Sequence, residues 1–98
     1  MINDLEAFHL MEDAIKHWGE IAQIMMAIEE CNELALVLCH SMRKLKVVQT
    51  EEIIKEISDV RLMTEQLQLI FGISDPCLEE YRQKNLEHLK KLLGDKRE

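Results

Sequence analysis

Apolar positions recur every three or four residues along most of the chain, and that period predicts four helices. The first covers Asn3 to Lys16, with His17, Trp18 and Gly19 as a corner. The second runs from Ile21 to Leu45. Thr50 has the character of an N-cap, followed by Glu51 and Glu52, where the helix dipole favours acids. The third helix continues to Phe71 and stops at Gly72. Asp75 is expected to cap a fourth helix with Pro76 in its first position. That helix closes near Gly94, and residues 95–98 read as a frayed tail. No stretch reads as a linker, repeat or low-complexity tract, so residues 1–98 are expected to form a single all-α domain.

The second helix has almost no polar face between Ile21 and Cys39: Ala22, Ile24, Met25, Ala27, Leu34 and Val37, among others, cover nearly its whole circumference. A helix that is apolar all round needs cover on every side. Three further short helices would struggle to enclose it. The expectation is a four-helix bundle-like protomer completed by homo-oligomerisation, as a dimer or a tetramer.

Three glutamates interrupt this apolar helix: Glu29, Glu30 and Glu33. A carboxylate in such surroundings is costly unless something compensates it. Residues three or four apart share a helix face, so Met26, Glu30, Glu33 and Val37 form one stripe with Glu29 at its edge. On the third helix the apolar stripe is Ile53, Ile57, Val60, Thr64, Leu67 and Phe71. Ser58, Arg61, Glu65 and Gln68 make its polar side, while Glu56 and Asp59 fall elsewhere, beside Met63 and Ile70. If the two acidic faces meet, four carboxylates converge where water is scarce. They then raise one another's pKa or require a cation between them. All-oxygen ligation suits a hard ion, Mg²⁺ first and Mn²⁺ as its substitute, and Mg²⁺ commonly brings a substrate phosphate with it.

Composition narrows the alternatives. Aromatics are 4% of the chain and glycines number three, which suits a helical core built from Leu, Ile, Val and Met. A formal charge of −7 argues against binding nucleic-acid polymers or anionic membrane surfaces. A nucleotide is compatible with that charge, because a bound divalent cation reverses the local sign. There is no apolar run long enough for a transmembrane helix, and "MINDLEAFHLMED" lacks the basic start and apolar middle of a signal peptide. Cys31, Cys39 and Cys77 are odd in number and lack CxxC spacing, as expected of reduced, buried thiols in a cytoplasmic protein.

Glu29-Glu30-x-x-Glu33, then 22 residues, then Glu56-x-x-Asp59, resembles the paired acidic signature of MazG-like all-α nucleoside triphosphate pyrophosphatases, in their small phage-type form. "HWGEIAQIMMAIEECNEL" is similar to the helix leading into the first motif, "EIIKEISDVRLMTEQLQLIFG" to the second-motif helix, and "YRQKNLEHLKKLL" to the basic closing helix. The resemblance covers residues 17–93. It implies Mg²⁺-dependent cleavage of an NTP or dNTP to the monophosphate and pyrophosphate, in nucleotide housecleaning or control of a dNTP pool. It further implies that Glu30, Glu33, Glu56 and Asp59 ligate metal and that Glu29 orients water or supports the ligands.

For the phosphate tail, the resemblance points to Lys84, and Lys91 stands one turn beyond His88, where the family has arginine. Lys84 otherwise reads as a solvated surface lysine. His17 and Trp18 fall where relatives place base-contacting aromatics; Trp18 is suited either to stacking on a base or to packing the corner. Gln23 either contacts the nucleotide or pairs across helices. His9 and His40 are assigned structural roles.

Two rival readings use the same residues. A di-iron protein wants Glu-x-x-His on each of two helices, and the chain offers only Glu6-x-x-His9. A non-enzymatic oligomeric helical interaction or regulatory module accounts well for the apolar second helix. It accounts less well for acids on apolar flanks.

Overall fold

The computed structural model describes residues 1–44 and 47–94. The described residues form four helices: α1 (Asp4–Trp18), α2 (Glu20–Arg43), α3 (Thr50–Phe71) and α4 (Asp75–Leu93). The all-α class expected from periodicity is what forms. Leu45, the expected end of α2, lies outside the described residues, as do Lys46 and the 95–98 tail.

The helix ends refine the expectations. Asn3 caps α1, its Oδ1 accepting from the Glu6 N–H at 2.8 Å. His17 and Trp18 belong to the last turn of α1, and the corner shrinks to Gly19. A φ of 91° lets this one residue turn the chain, a conformation that a side chain would strain. Gln49, not Thr50, caps α3: its backbone N–H donates to Glu52 Oε2 at 2.9 Å in a capping box. Gly72 ends α3 as expected, in the left-handed conformation. Ser74, not Asp75, caps α4, because the Asp75 carboxylate is engaged elsewhere, accepting from Gln68 Nε2 at 2.9 Å.

α2 and α3 make the main contact, and α1 lies against both. Gln23 near the start of α2 meets Gln66 late in α3, whereas Glu30 meets Glu56 and Asp59 earlier in α3, so the pair runs antiparallel. Among the described residues, α4 packs along no other helix and meets α3 through the Gln68–Asp75 hydrogen bond at its first residue. The radius of gyration, 16.9 Å, accordingly exceeds the roughly 13 Å of a compact domain of this length.

The packed seam is rotated from the stripes read off the sequence. On α2 it follows Gln23, Ala27, Glu30, Leu34 and Val37, with Met26 and Glu33 exposed. On α3 it follows Glu56, Asp59, Val60, Met63, Gln66 and Ile70, while Ile57, Thr64 and Phe71, expected on the apolar face, are exposed. The buried residues among those described are Ala27, Met63, Gln23 and Gln66, two of them polar. α2 is therefore not enclosed within one chain: Ile21 and Met42 are 76% and 77% exposed. The cysteines differ from expectation for the same reason: all three are free thiols, but Cys31 and Cys77 are exposed and Cys39 is half-buried. No described helix is long and apolar enough to cross a membrane.

Candidate metal centre

Glu30 is held on the seam because it stands three residues after Ala27 and four before Leu34. Glu56 and Asp59 occupy successive turns of the facing side of α3. The antiparallel contact therefore brings one oxygen from each of Glu30, Glu56 and Asp59 to within 4.8 Å of one another. Glu56 is the most enclosed of the α3 pair, with 12% of its side chain accessible against 35% for Asp59. Its Oε2 is buried and makes no hydrogen bond.

Beside the trio lies Lys55. Its Nζ is 2.8 Å from Asp59 Oδ2 and 3.7 Å from Glu56 Oε1. Three ionised carboxylates against this one ammonium leave a formal charge of −2. The consequence shows at Glu30, whose pKa is raised above the usual carboxylate value, first by desolvation and then by the charges of Asp59 and Glu56, with Lys55 opposing. The Lys55 ammonium is held above the usual lysine value, first by its hydrogen bond to Asp59 and then by the charges of Asp59 and Glu56. The trio opens onto a groove of about 500 Å³ lined by Glu29, Glu30, Asn32, Glu33, Lys55 and Glu56.

Of the four carboxylates expected to converge, three do so. Glu33 lines the groove but stands outside the trio, because the seam passes through residues 30 and 34 and turns residue 33 towards solvent. Glu29 likewise lines the groove. Gln23 resolves to its cross-helix alternative in this chain: its Nε2 donates to Gln66 Oε1 at 2.6 Å, and Gln66 Nε2 contacts Met63 Sδ at 3.8 Å. The His17 and Trp18 rings meet edge to face at 4.9 Å, and Trp18 is 63% exposed, so it does not fill the corner. From Glu20, beside this pair, to Glu30 is roughly 15 Å along α2.

Lys84 and Lys91 sit on α4 and are not brought to the trio within the chain. The Lys84 ammonium lies 4.8 Å from the centre of the Tyr81 ring and 3.8 Å from Glu80 Oε1. The sequence reading missed Lys55, Asn32 and Gln66. Lys55 was detectable in principle, since it precedes one motif acid and stands four residues before another.

The donor set is all oxygen and includes one buried carboxylate oxygen with no hydrogen-bond partner, so these residues fit a hard divalent cation. Comparison with protein families, curated proteins and solved structures finds no match. The functional reading therefore rests on the residues and their geometry.

Proposed function

We propose that this protein is a Mg²⁺-dependent nucleoside triphosphate pyrophosphohydrolase, with Mn²⁺ able to substitute. It cleaves an NTP or dNTP to the monophosphate and pyrophosphate. The observation that carries the proposal is the convergence of Glu30, Glu56 and Asp59 across the α2–α3 seam. Acids scattered on solvated helices do not cause this. Here they occupy positions that packing would give to apolar side chains.

In this reading Glu30, Glu56 and Asp59 hold the metal. When bound, it would balance their charge and supply Lewis-acid chemistry toward phosphate and water. Glu29 and Glu33 line the groove outside the trio, and in this reading they would orient the attacking water and accept its proton. One water is consumed, the bridge between the α and β phosphates opens, and pyrophosphate leaves. His17 and Trp18 offer a stacking surface for the base, and Gln23 fixes the helix pair between that surface and the acids.

The protein is further proposed to act as a homo-oligomer, a dimer or a tetramer. Exposed Ile21, Met25, Ile28, Leu36 and Met42 on α2, and an α4 without a partner helix, support this. Lys84 and Lys91 reach a phosphate tail only when α4 lies against another protomer's groove.

The test is pyrophosphate release from a panel of NTPs and dNTPs, with Mg²⁺ and with excess EDTA. Metal-dependent release of pyrophosphate and the matching monophosphate is expected. Silence across the panel, with no thermal shift on adding Mg²⁺, refutes the enzyme and leaves the interaction module as the better reading.

A further inference from the structure

We propose that Lys55 is the protomer's own phosphate-binding cation: its ammonium occupies the acidic trio until a divalent metal replaces it, and then meets the substrate's phosphates in the same groove. This rests on the metal-centre reading above and adds to it a residue which neither the motif nor the helix pattern assigned.

Three observations carry it. The ammonium contacts two of the three trio carboxylates, at 2.8 and 3.7 Å, so a metal ligated by Asp59 and Glu56 competes for the same oxygens. The side chain is 70% accessible, leaving its four-carbon stem free to move when the cations exchange. Among the described residues, Lys55 is the cationic side chain lining the groove, whereas Lys84 and Lys91 stand on a helix that packs on no other. Once displaced, its ammonium remains tethered beside the metal, where a triphosphate needs positive charge.

The residue type suits exchange. An ammonium on a flexible stem has no fixed fork, so it changes partners more readily than a guanidinium in a bidentate pair. The plain alternative is a surface i,i+4 pair that only steadies α3. That role is poorly served here, because a lysine preceding its acid is the weaker orientation on a helix.

The experiment compares wild type, Lys55→Met and Asp59→Asn, each checked for helical content and melting. Mn²⁺ binding is measured from the electron paramagnetic resonance of the free ion. Binding of an NTP analogue with a non-hydrolysable α,β-bridge is then measured calorimetrically in saturating Mn²⁺. Lys55→Met should bind Mn²⁺ about two- to fivefold more tightly, the range of an exposed ion pair lost as a competitor. It should bind the analogue about tenfold more weakly, the order of one charge-assisted contact. Unchanged or weaker Mn²⁺ binding, or unchanged analogue binding, overturns the role of Lys55. If Asp59→Asn then still loses Mn²⁺, the metal centre survives that failure. Absence of Mn²⁺ binding to the wild type removes the metal centre, and the role of Lys55 with it.

Discussion

Glu56→Gln separates a metal site from an ordinary helix seam, because the two predict opposite consequences for stability. Glu56 is the more buried of the two α3 acids, and one of its oxygens has no hydrogen-bond partner. The substitution removes two like-charge pairs, with Glu30 and with Asp59, at separations within 4.8 Å. With fully water-like screening each such pair costs about 0.9 kcal/mol, but the lost attraction between Glu56 and Lys55, at the shorter 3.7 Å, offsets more than one of them, so the metal-free variant should gain about 0.5 kcal/mol. Lys55 keeps its shorter bond, to Asp59. The new amide also supplies N–H donors that the trio lacks. For a domain of this size the gain corresponds to a melting temperature roughly 2–4 °C higher. The assay is thermal unfolding followed by circular dichroism in EDTA, at fixed protein concentration because self-association also moves the midpoint. A parallel titration with Mg²⁺ should stabilise the wild type by about 2.7 kcal/mol at one hundred times its Kd, and the variant hardly at all. A variant that melts lower than wild type in EDTA, yet shifts equally with Mg²⁺, refutes the reasoning: the carboxylates would then be neither mutually repelling nor the metal's ligands.

The remaining predictions use other parts of the same seam. Glu33→Gln or Asp59→Asn should abolish turnover while sparing the fold, checked by pyrophosphate release alongside circular dichroism; unfolding, or full activity, counts against the assignment. Gln23→Leu leaves Gln66 Oε1 buried without its donor and should cost about 1–3 kcal/mol, whereas the double replacement Gln23→Leu with Gln66→Leu should recover most of it, measured by urea unfolding. The raised pKa of Glu30 sets a sign for pH dependence. Its neutral form is favoured in the folded chain, so its contribution is complete below the unfolded value of 4.5 and is lost as pH rises through the higher folded pKa. Melting temperatures in EDTA between about pH 4 and 7 should therefore fall less steeply for Glu30→Gln than for wild type. Sedimentation equilibrium should give a mass at least twice that of the protomer, and Leu89→Asp on the exposed α4 should lower it if that helix joins the interface.

Helix number and type were legible because each helix carries a 3.6-residue apolar period bounded by a glycine or a capping residue. Gly72 illustrates this: its αL conformation ends α3 where the sequence places the stop. The caps at Gln49 and Ser74 were less legible, since Thr50 and Asp75 are equally good cap types and the choice depends on where Glu52 and Gln68 find partners. The acids of the site were legible by type and spacing, but the rotation of the seam was not. Glu30 and Glu33 are neighbours on one face of α2, and only the line from Gln23 through Ala27 to Leu34 decides which of them points at α3. That line depends on a small residue, Ala27, and on a buried amide pair formed with a residue 43 positions away, neither of which local periodicity encodes. The separation of α4 was invisible for a related reason: its apolar residues are spaced like a core face, and spacing does not say whose core.

The protomer's own core gives a reason why the proposed metal and the proposed self-association would belong together. Two of the four buried residues among those described are glutamines, and the next turns of the seam carry three carboxylates where apolar side chains would add stability. A single chain so built buries little apolar surface, while Ile21, Met25, Leu36 and Met42 of α2 stay uncovered. On the proposed reading, cations in the trio and a second protomer on α2 would both bind the folded chain and not the unfolded one, so each would add to its stability by mass action. They would act on one helix pair, metal across the α2–α3 seam and a partner on the outer face of α2. The two should therefore reinforce each other: metal that steadies the seam presents α2 in the form a second copy packs against. By linkage, oligomerisation must then raise metal affinity by the same factor. A metal affinity that stays constant as protein concentration is raised through the association range would show that the seam and the interface are independent.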